Sequence, residues 1–307
     1  MRNPGLLLLD TPSLYFRAFY GVPESVTAPD GTPVNAVRGT IDFLARLLTD
    51  HTPARVIATM DADWRPAWRV AAVASYKAHR VGADGGDQAP DALDVQVPIL
   101  TDVLDAAGIA QYGVAGYEAD DVIGSAAKQT TDPVDVVTGD RDLLQLVDDA
   151  QPVRVRYTGR GVGRAEAADE AWVMAKYGVP ARHYADFALL RGDPSDGLPG
   201  VPGIGEKTAA ALVARFGSVE DIVAAARSGE DAGFPSGARR KVLAAEPYIA
   251  AAAPVVRVAT DLTLPAVDDR VPLEPRDPEQ LVDLATRWGL DSPLSRLLAA
   301  MRKCSGQ

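Results

Sequence analysis

Nine carboxylates in five separate segments of the chain stand where they could bind divalent metal ions. Three of them, Asp10, Asp61 and Asp140, come at or just after the carboxyl end of a predicted strand. In an open α/β sheet that edge is where ligands bind. The other six lie in the first turn of a predicted helix, just beyond Asp140, and in a loop rich in glycine and proline: Glu118, Asp120, Asp121, Asp142, Asp193 and Asp196. This placement predicts one acidic cleft built from all five segments.

Such a cleft requires cations. Unpaired carboxylates repel one another, which raises their pKa values or opens the site. Mg²⁺ prefers carboxylate and water oxygens, and two such ions about 4 Å apart can activate a water and stabilise the leaving oxygen of a phosphodiester. Taken singly, each acid is better explained as a helix cap or a solvated charge. Their joint placement at strand ends favours a site for two or more Mg²⁺ or Mn²⁺ ions.

The elements that must position these acids alternate between strand and helix over the first two thirds of the chain. Apolar runs and helical periodicity mark them, with predicted strands at 6–9, 56–60 and 134–138 and predicted helices at 34–48, 97–107, 119–129 and 278–288. This alternation implies an α/β fold with a mostly parallel central sheet flanked by helices. After residue 179 the pattern turns helical. We therefore predict a catalytic domain at 1–178 and a smaller all-α domain at 179–307.

The second domain contains a glycine-rich string within about 198–215, Val201-Pro202-Gly203-Ile204-Gly205-Glu206-Lys207-Thr208-Ala209. It fits a hairpin between two helices, and the amides that open the second helix can face a phosphate. It lacks the four-residue gap of a nucleotide-binding phosphate loop. Packing between helices is the alternative for a short glycine-rich turn. We expect the hairpin to bind the backbone of duplex DNA, without reading its sequence, through Gly203, Gly205, Lys207 and Thr208.

Composition bounds the class of protein. The chain has 307 residues, of which 47% are hydrophobic and 24% charged, as in a soluble globular protein with two lobes. Its single cysteine, Cys304, excludes an internal disulfide framework. No apolar run reaches the roughly 20 residues of a membrane span, and the start is too short for a signal peptide, so we expect a cytoplasmic protein. The net charge of −11 argues against a nucleic-acid partner unless the clustered acids bind cations.

The residues that flank the acids carry the pattern of a known family. In order, the motifs are Asp10 with Phe16-Arg17-Ala18-Phe19, Met60-Asp61-Ala62, Ser75-Tyr76-Lys77-Ala78-His79-Arg80, Gly116-Tyr117-Glu118-Ala119-Asp120-Asp121 and Thr138-Gly139-Asp140-Arg141-Asp142. The loop at 192–196 and the hairpin at 200–209 complete the set. The sequence resembles the 5′-nuclease family, which includes bacterial flap endonucleases and the N-terminal 5′-3′ exonuclease domain of family A DNA polymerases. The resemblance covers about residues 5–265, and we expect no polymerase domain to follow.

The resemblance implies roles for individual residues. Five acids would form a first metal site or surround it: Asp10, Asp61, Glu118, Asp120 and Asp121. Four would form a second: Asp140, Asp142, Asp193 and Asp196. Catalysis would involve Asp140 together with Lys77, which would reach the scissile phosphate, and Arg80 and Arg17, which would support it. Tyr76 would stack on an unpaired nucleotide beside Lys77 and Arg80. K⁺ at the hairpin carbonyls and an arch at about 76–97 are also implied.

Four features depart from the family pattern. Thr11 replaces a usual glycine, Phe16 a usual tyrosine, and Gly197 a usual asparagine after the last acid. An insert rich in glycine and aspartate at 82–87 falls within the arch. All nine carboxylates are present, which argues against an inactive relative.

We expect a stand-alone, structure-specific 5′-3′ exonuclease and flap endonuclease that hydrolyses DNA by two-metal-ion catalysis, in Okazaki fragment processing and repair. Its substrate would be DNA with a 5′ flap, 5′ overhang or nick. We expect a nucleoid-associated monomer, with a DNA polymerase and a ligase as partners. Two alternatives stay open, a non-catalytic binder of DNA structures and a PIN-type ribonuclease.

Two groups of residues outside these motifs have open or ordinary interpretations. Arg65 and Arg69 could line the DNA path or lie on solvated helix faces. The four tryptophans, Trp64, Trp68, Trp172 and Trp288, are expected to fill contacts within or between the lobes.

Overall fold

A computed structural model describes residues 5–82, 88–229 and 233–305. Most of the insert predicted at 82–87 therefore lies outside the described residues, and so does part of the predicted arch.

A six-stranded sheet organises the N-terminal part of the chain, up to residue 178, which we call its first half. Its strands are β1 (Leu6–Asp10), β2 (Arg55–Thr59), β3 (Ala110–Tyr112), β4 (Val134–Thr138), β5 (Val153–Tyr157) and β6 (Glu166–Ala168). Their order is β3-β2-β1-β4-β5-β6, and only β6 runs antiparallel to its neighbour. In the centre Leu8 is aligned with Ile57 on one side and with Val136 on the other. The predicted mostly parallel sheet is confirmed.

Helices cover both faces of the sheet and form the second half of the chain. Those of the first half are α1 (Thr11–Gly21), α2 (Asn35–His51), α3 (Ala67–Ala72), α4 (Asp91–Asp94), α5 (Gln96–Ala107), α6 (Ala119–Gln129) and α7 (Glu170–Tyr177). Those of the second half are α8 (Tyr184–Arg191), α9 (Glu206–Phe216), α10 (Val219–Ser228), α11 (Ala238–Ala244), α12 (Glu246–Val256), α13 (Pro278–Trp288) and α14 (Asp291–Ser305). Single 3-10 turns lie at 78–80, 142–146, 162–164, 181–183 and 194–196.

The strand β1 separates two hydrophobic cores. Leu6 and Leu8 point into a core shared with α6 and with helices of the second half, whereas Leu7 and Leu9 point into a core shared with α2 and α5. All five residues of β1 are buried because helices cover both faces, and this explains why its sequence is apolar without alternation.

The last two helices return to the first half of the chain. α13 packs on α5, and α14 packs along α2. Leu294, Leu297 and Met301 of α14 are buried in the same core as Leu44 and Leu48 of α2. The predicted boundary after residue 178 and the predicted helical domain at 179–307 stay predictions, although α13 and α14 of that range pack on helices that precede residue 178. None of the helices in the described ranges combines the length and apolarity needed to cross a membrane.

Candidate active site

Three strand ends place carboxylates at one edge of the sheet. Asp10 is the last residue of β1, and its side chain accepts hydrogen bonds from Thr138 Oγ1 (2.5 Å) and from the backbone N–H of Ser13 (3.1 Å). Asp140 follows β4, and its N–H donates to Thr138 Oγ1 at 2.8 Å. Asp61 follows β2 and accepts from the N–H of Ala119, at the start of α6, at 2.8 Å. Parallel strands thus bring together acids that lie far apart in the sequence.

These acids line a cavity of about 530 Å³. Acids and cations that the sequence predicted for the site face it together: Asp10, Asp61, Glu118, Asp120, Asp140, Lys77 and Arg80. Ser13, Phe16, Trp64 and Gly139 complete part of the wall. The cavity therefore joins five of the nine predicted metal-binding acids with two of the predicted catalytic cations.

Burial and mutual repulsion disfavour the charged forms of these acids. Burial raises the pKa of Asp10 to about 7, although the hydrogen bonds from Thr138 and Ser13 oppose the shift. Burial also raises the pKa of Asp120, and the charges of Asp10 and Asp140 raise it further. Burial, and then the charge of Asp196, raise the pKa of Asp140. A bound cation would reverse these shifts, because it stabilises the carboxylate form.

The second group of acids lies next to the first. Asp142 is buried, and its pKa is raised well above the ordinary value by burial and then by Asp140, Asp196 and Asp193. Asp193 Oδ1 accepts from the N–H of Ser195 at 2.9 Å, which fixes the loop. In the part of the chain that the structure describes, no three aspartate, glutamate, histidine or cysteine side chains are arranged to hold a metal ion as they stand.

Asp121 lies in a buried ion pair and does not line the cavity. Both of its carboxylate oxygens accept hydrogen bonds from the guanidinium of Arg69 at 2.8 Å, and Oδ1 also accepts from the N–H of Ala259. Arg69 is 2% exposed and also bonds Glu118. Asp121 therefore lies behind Glu118, joined to it through Arg69, and its predicted role in or around the first metal site stays a prediction. Arg69 lies neither on a solvated face nor on a surface path for DNA, because α3 carries it into the interior beside α6.

Lys77 adopts an uncommon backbone conformation at the cavity wall. Its φ of 46° lies in the left-handed region, and its ammonium donates to Glu118 and to the carbonyl of Trp64. Burial lowers the pKa of Lys77, but attraction by Glu118 and Asp196 outweighs burial, so this pKa lies above its ordinary value. Lys77 is thus a charged group held at the acidic cavity.

Tyr76 cannot stack on a nucleotide in this structure, which corrects the role implied by resemblance. Its side chain is 4% exposed and lies in the hydrophobic core, and its hydroxyl donates to Glu118 at 2.6 Å. The residue therefore supports Glu118 from inside the protein.

Gly197 explains one departure from the family pattern. Its φ is +69°, and a Cβ atom there would collide with the carbonyl oxygen of Ser75. Next to this contact the N–H of Lys77 donates to the carbonyl of Asp196 at 2.9 Å. The absence of a side chain lets the segment that carries Lys77 lie directly against the loop that carries Asp196.

The two predicted arginines occupy different places. Arg80 lies at the cavity and bonds Asp196 (3.1 Å) and the carbonyl of Ser195. Arg17 packs beside Gly139, since a Cβ there would lie 3.2 Å from Arg17 Nη2. Its Nε is buried without a hydrogen-bond partner among the described residues.

The hairpin lies in the second half of the chain, before α9. Gly203 has a φ of +76°, and Gly205 immediately precedes α9. Lys207 is exposed on the first turn of α9. Lys241 of α11 donates to the carbonyl of Gly203 at 2.8 Å, a contact that the sequence alone did not indicate.

Comparison with known proteins agrees with this architecture. Residues 5–178 match the family model of the 5′-3′ exonuclease N-terminal resolvase-like domain, and residues 179–279 match that of the 5′-3′ exonuclease C-terminal SAM fold. The 5′-3′ exonuclease of Streptomyces coelicolor is 57% identical over 300 residues, which are 96% of this chain and 99% of that protein. The 5′-3′ exonuclease of Mycobacterium tuberculosis is 52% identical over an alignment of 320 positions, which covers 100% of this chain and 100% of that protein.

A solved structure shares the fold. The bacteriophage T5 D15 flap endonuclease, in a pseudo-enzyme-product complex with DNA and metal ions, has a TM-score of 0.60 and 15% identity over 98% of this chain and 99% of its own. The family models together cover most of the chain, and the two exonucleases match it almost end to end. The chain therefore belongs to the 5′-3′ exonuclease family.

Proposed function

We propose that the protein is a structure-specific 5′-3′ exonuclease and flap endonuclease that hydrolyses phosphodiester bonds of DNA with divalent metal ions. The observation that carries the proposal is the cavity in which Asp10, Asp120 and Asp140 face Lys77 and Arg80. Such a site combines carboxylates, which bind divalent metal ions, with lysine and arginine side chains, which bind a phosphate. The similarity to two 5′-3′ exonucleases over nearly the whole chain supports it.

The cavity acids fit Mg²⁺ or Mn²⁺ in their chemistry. They are oxygen donors on separate elements. Burial raises the pKa of Asp10, Asp120 and Asp140 and so disfavours their charged forms, which a bound cation would stabilise. Asp10, Asp61, Glu118 and Asp120 would hold ions on one side and Asp140, Asp142, Asp193 and Asp196 on the other. When bound, such ions supply the charge that activates water and stabilises the leaving oxygen.

The basic side chains would position the phosphodiester. Lys77 already lies at the cavity with its ammonium on Glu118, and a phosphate oxygen would replace that carboxylate as its partner. Arg80, which bonds Asp196 in this structure, would contact the same phosphate. Arg17, beside Gly139, would hold a neighbouring phosphate. Each contact to a phosphate oxygen that gains charge in the reaction lowers the barrier.

The hairpin would bind the duplex part of the substrate through Gly203, Gly205, Lys207 and Thr208. The backbone amides at the start of α9 and the charge of Lys207 suit contacts to phosphates. K⁺ binding at the hairpin carbonyls stays part of the proposal, and Lys241 already bonds the carbonyl of Gly203.

The biological setting is proposed from the chemistry. DNA with a 5′ flap, 5′ overhang or nick arises in Okazaki fragment processing and excision repair, where a polymerase and a ligase act on the same strands. We place the protein there, as a monomer associated with the nucleoid in the cytoplasm.

Cleavage of a 5′-labelled flap duplex in Mg²⁺, Mn²⁺ or EDTA tests the proposal. We expect cutting near the flap junction in either metal, none in EDTA, and loss of cutting with retained binding in Asp140→Asn. Asp283→Asn, an exposed change on α13, is the matched control. Tight binding without cutting in any metal would favour the non-catalytic DNA binder. Preferred cutting of an RNA flap would favour the PIN-type ribonuclease.

A further inference from the structure

Three aromatic rings at the β5–β6 edge of the sheet surround one lysine ammonium. Nζ of Lys176 lies 4.1 Å from the ring centroid of Trp172, 5.2 Å from that of Tyr157 and 5.8 Å from that of Tyr177. Tyr157 ends β5, and the other residues belong to α7. Among the described residues no carboxylate forms an ion pair with Lys176. Its charge is therefore met by ring faces, and no carboxylate competes for it.

These residues lie between Asp193, in the second group of acids, and α9, the helix that follows the hairpin. We define the aromatic surface as Arg141, Tyr157, Trp172, Lys176 and Tyr177. Arg141 belongs to it because it interacts electrostatically with Tyr177 and Tyr157, as well as with Tyr184 and Asp193. At one end, Nη2 of Arg141 lies 3.5 Å from Oδ2 of Asp193. At the other end, a Cβ on Gly178, which follows Tyr177, would lie 3.9 Å from the Cβ of Ala210 in α9. The aromatic surface thus connects the second group of acids with the helix that the hairpin opens.

The composition of the aromatic surface suits unpaired nucleotides. Proteins bind single strands without sequence preference by stacking bases on aromatic rings and pairing phosphates with Lys or Arg. The three rings are partly exposed, Lys176 is exposed, and Arg160 is exposed on the turn after β5. Tyr76, by contrast, is buried and offers no face to a base.

We propose that the aromatic surface binds an unpaired segment of the DNA substrate, with a base stacked on Trp172 and phosphates paired with Lys176 and Arg141. This inference rests on the proposed function, because it takes as substrate a DNA that contains an unpaired segment. In the free protein the ammonium of Lys176 covers the Trp172 ring. Its flexible side chain turns to a phosphate when the base takes that place.

The test is DNA binding in EDTA, where cleavage does not interfere. The probe is a flap duplex with 2-aminopurine in the unpaired segment, and the variants are Trp172→Leu and Trp288→Leu. Trp288 is the matched control, since Arg287 lies 4.5 Å from its ring centroid while the ring packs against the core on the other face of the sheet. Melting temperatures show whether each variant is folded. The exposed Lys176→Glu provides a second probe that leaves ring packing intact.

We expect the wild type to quench 2-aminopurine, and Trp172→Leu to weaken flap binding about 5- to 150-fold, as one lost stacking contact of about 1–3 kcal/mol implies. Trp288→Leu should have no effect, Lys176→Glu should weaken flap binding, and blunt duplex binding should stay unchanged in all three variants. Equal losses on flap and blunt duplex would overturn the proposal in favour of duplex contacts. Unchanged flap binding in both Trp172→Leu and Lys176→Glu would overturn the proposal and show that the contacts between Lys176 and the rings are only structural. If the wild type cleaves the flap normally in Mg²⁺ but does not quench 2-aminopurine, the proposed role of the aromatic surface is overturned and the proposed nuclease function stands. If the wild type does not cleave the flap, the proposed nuclease function itself is overturned.

Discussion

Replacing Arg69 by methionine tests the buried ion pair beneath the cavity. Arg69 donates two hydrogen bonds to Asp121, both at 2.8 Å, one to Glu118, and one to the carbonyl of Val255 at 3.2 Å. Methionine fills much of the same volume without charge or donors. Arg69→Met therefore leaves Asp121, which is fully buried, without its cationic partner.

The size of the effect follows from this burial. Removing one partner of a buried ion pair costs about 3–5 kcal/mol, because the remaining charge is neither solvated nor paired. Unfolding entropy of about 2.1 cal/mol/K per residue amounts to about 0.6 kcal/mol/K for 307 residues. We therefore expect the melting temperature to fall by about 5–8 °C.

Thermal unfolding in EDTA at pH 7, followed by circular dichroism, measures this change. Arg69→Met/Asp121→Asn should recover part of the loss, because the second change removes the unpaired charge. Arg270→Met is the matched control: its ion pair with Asp268 is 3.1 Å long, but both side chains are largely exposed, so the melting temperature should change little. A drop in Arg69→Met no larger than in this control, or a double variant as unstable as the sum of the single ones, would refute the argument.

Three further predictions concern the cavity. Gly197→Ala should destabilise the protein by more than about 1 kcal/mol, since the left-handed φ and the close approach of the Ser75 carbonyl both oppose a Cβ; an unchanged urea midpoint would contradict this. Lys77→Ala should slow single-turnover cleavage about 10²-fold or more but change flap affinity in EDTA far less, and a pure affinity defect would argue against its place at the phosphate. The folded-state pKa of Asp10, about 7, exceeds its ordinary 3.8, so this acid stabilises the metal-free protein less as pH rises from about 4 to 7. Asp10→Asn in EDTA should therefore raise the melting temperature more at pH 7.5 than at pH 5, and an equal effect at both values would show that burial of this charge is not the cause.

Local patterns in the sequence were sufficient for much of the fold. The predicted helices at 119–129 and 278–288 match α6 and α13, and the predicted strands match β1, β2 and β4 to within one residue at either end. The short strands β3 and β6, of three residues each, carry too few side chains for a periodic signal. The sequence does not predict that α14 packs onto α2, because an amphipathic helix does not reveal which partner buries its apolar stripe.

The sequence by itself determined the acids, their position after strands and in the first turn of α6, and the family to which they point. Those features depend on short-range periodicity and on the rule that parallel strands end at one edge. Only the tertiary structure decided that Asp121 pairs with Arg69, 52 residues away, while Asp120 faces the cavity. It also decided that Tyr76 is buried and that Trp172 and Lys176 form a surface with Tyr157. The physical reason is that such contacts depend on how elements distant in the chain pack together, and that packing determines which side of an element meets solvent, metal ions or another side chain.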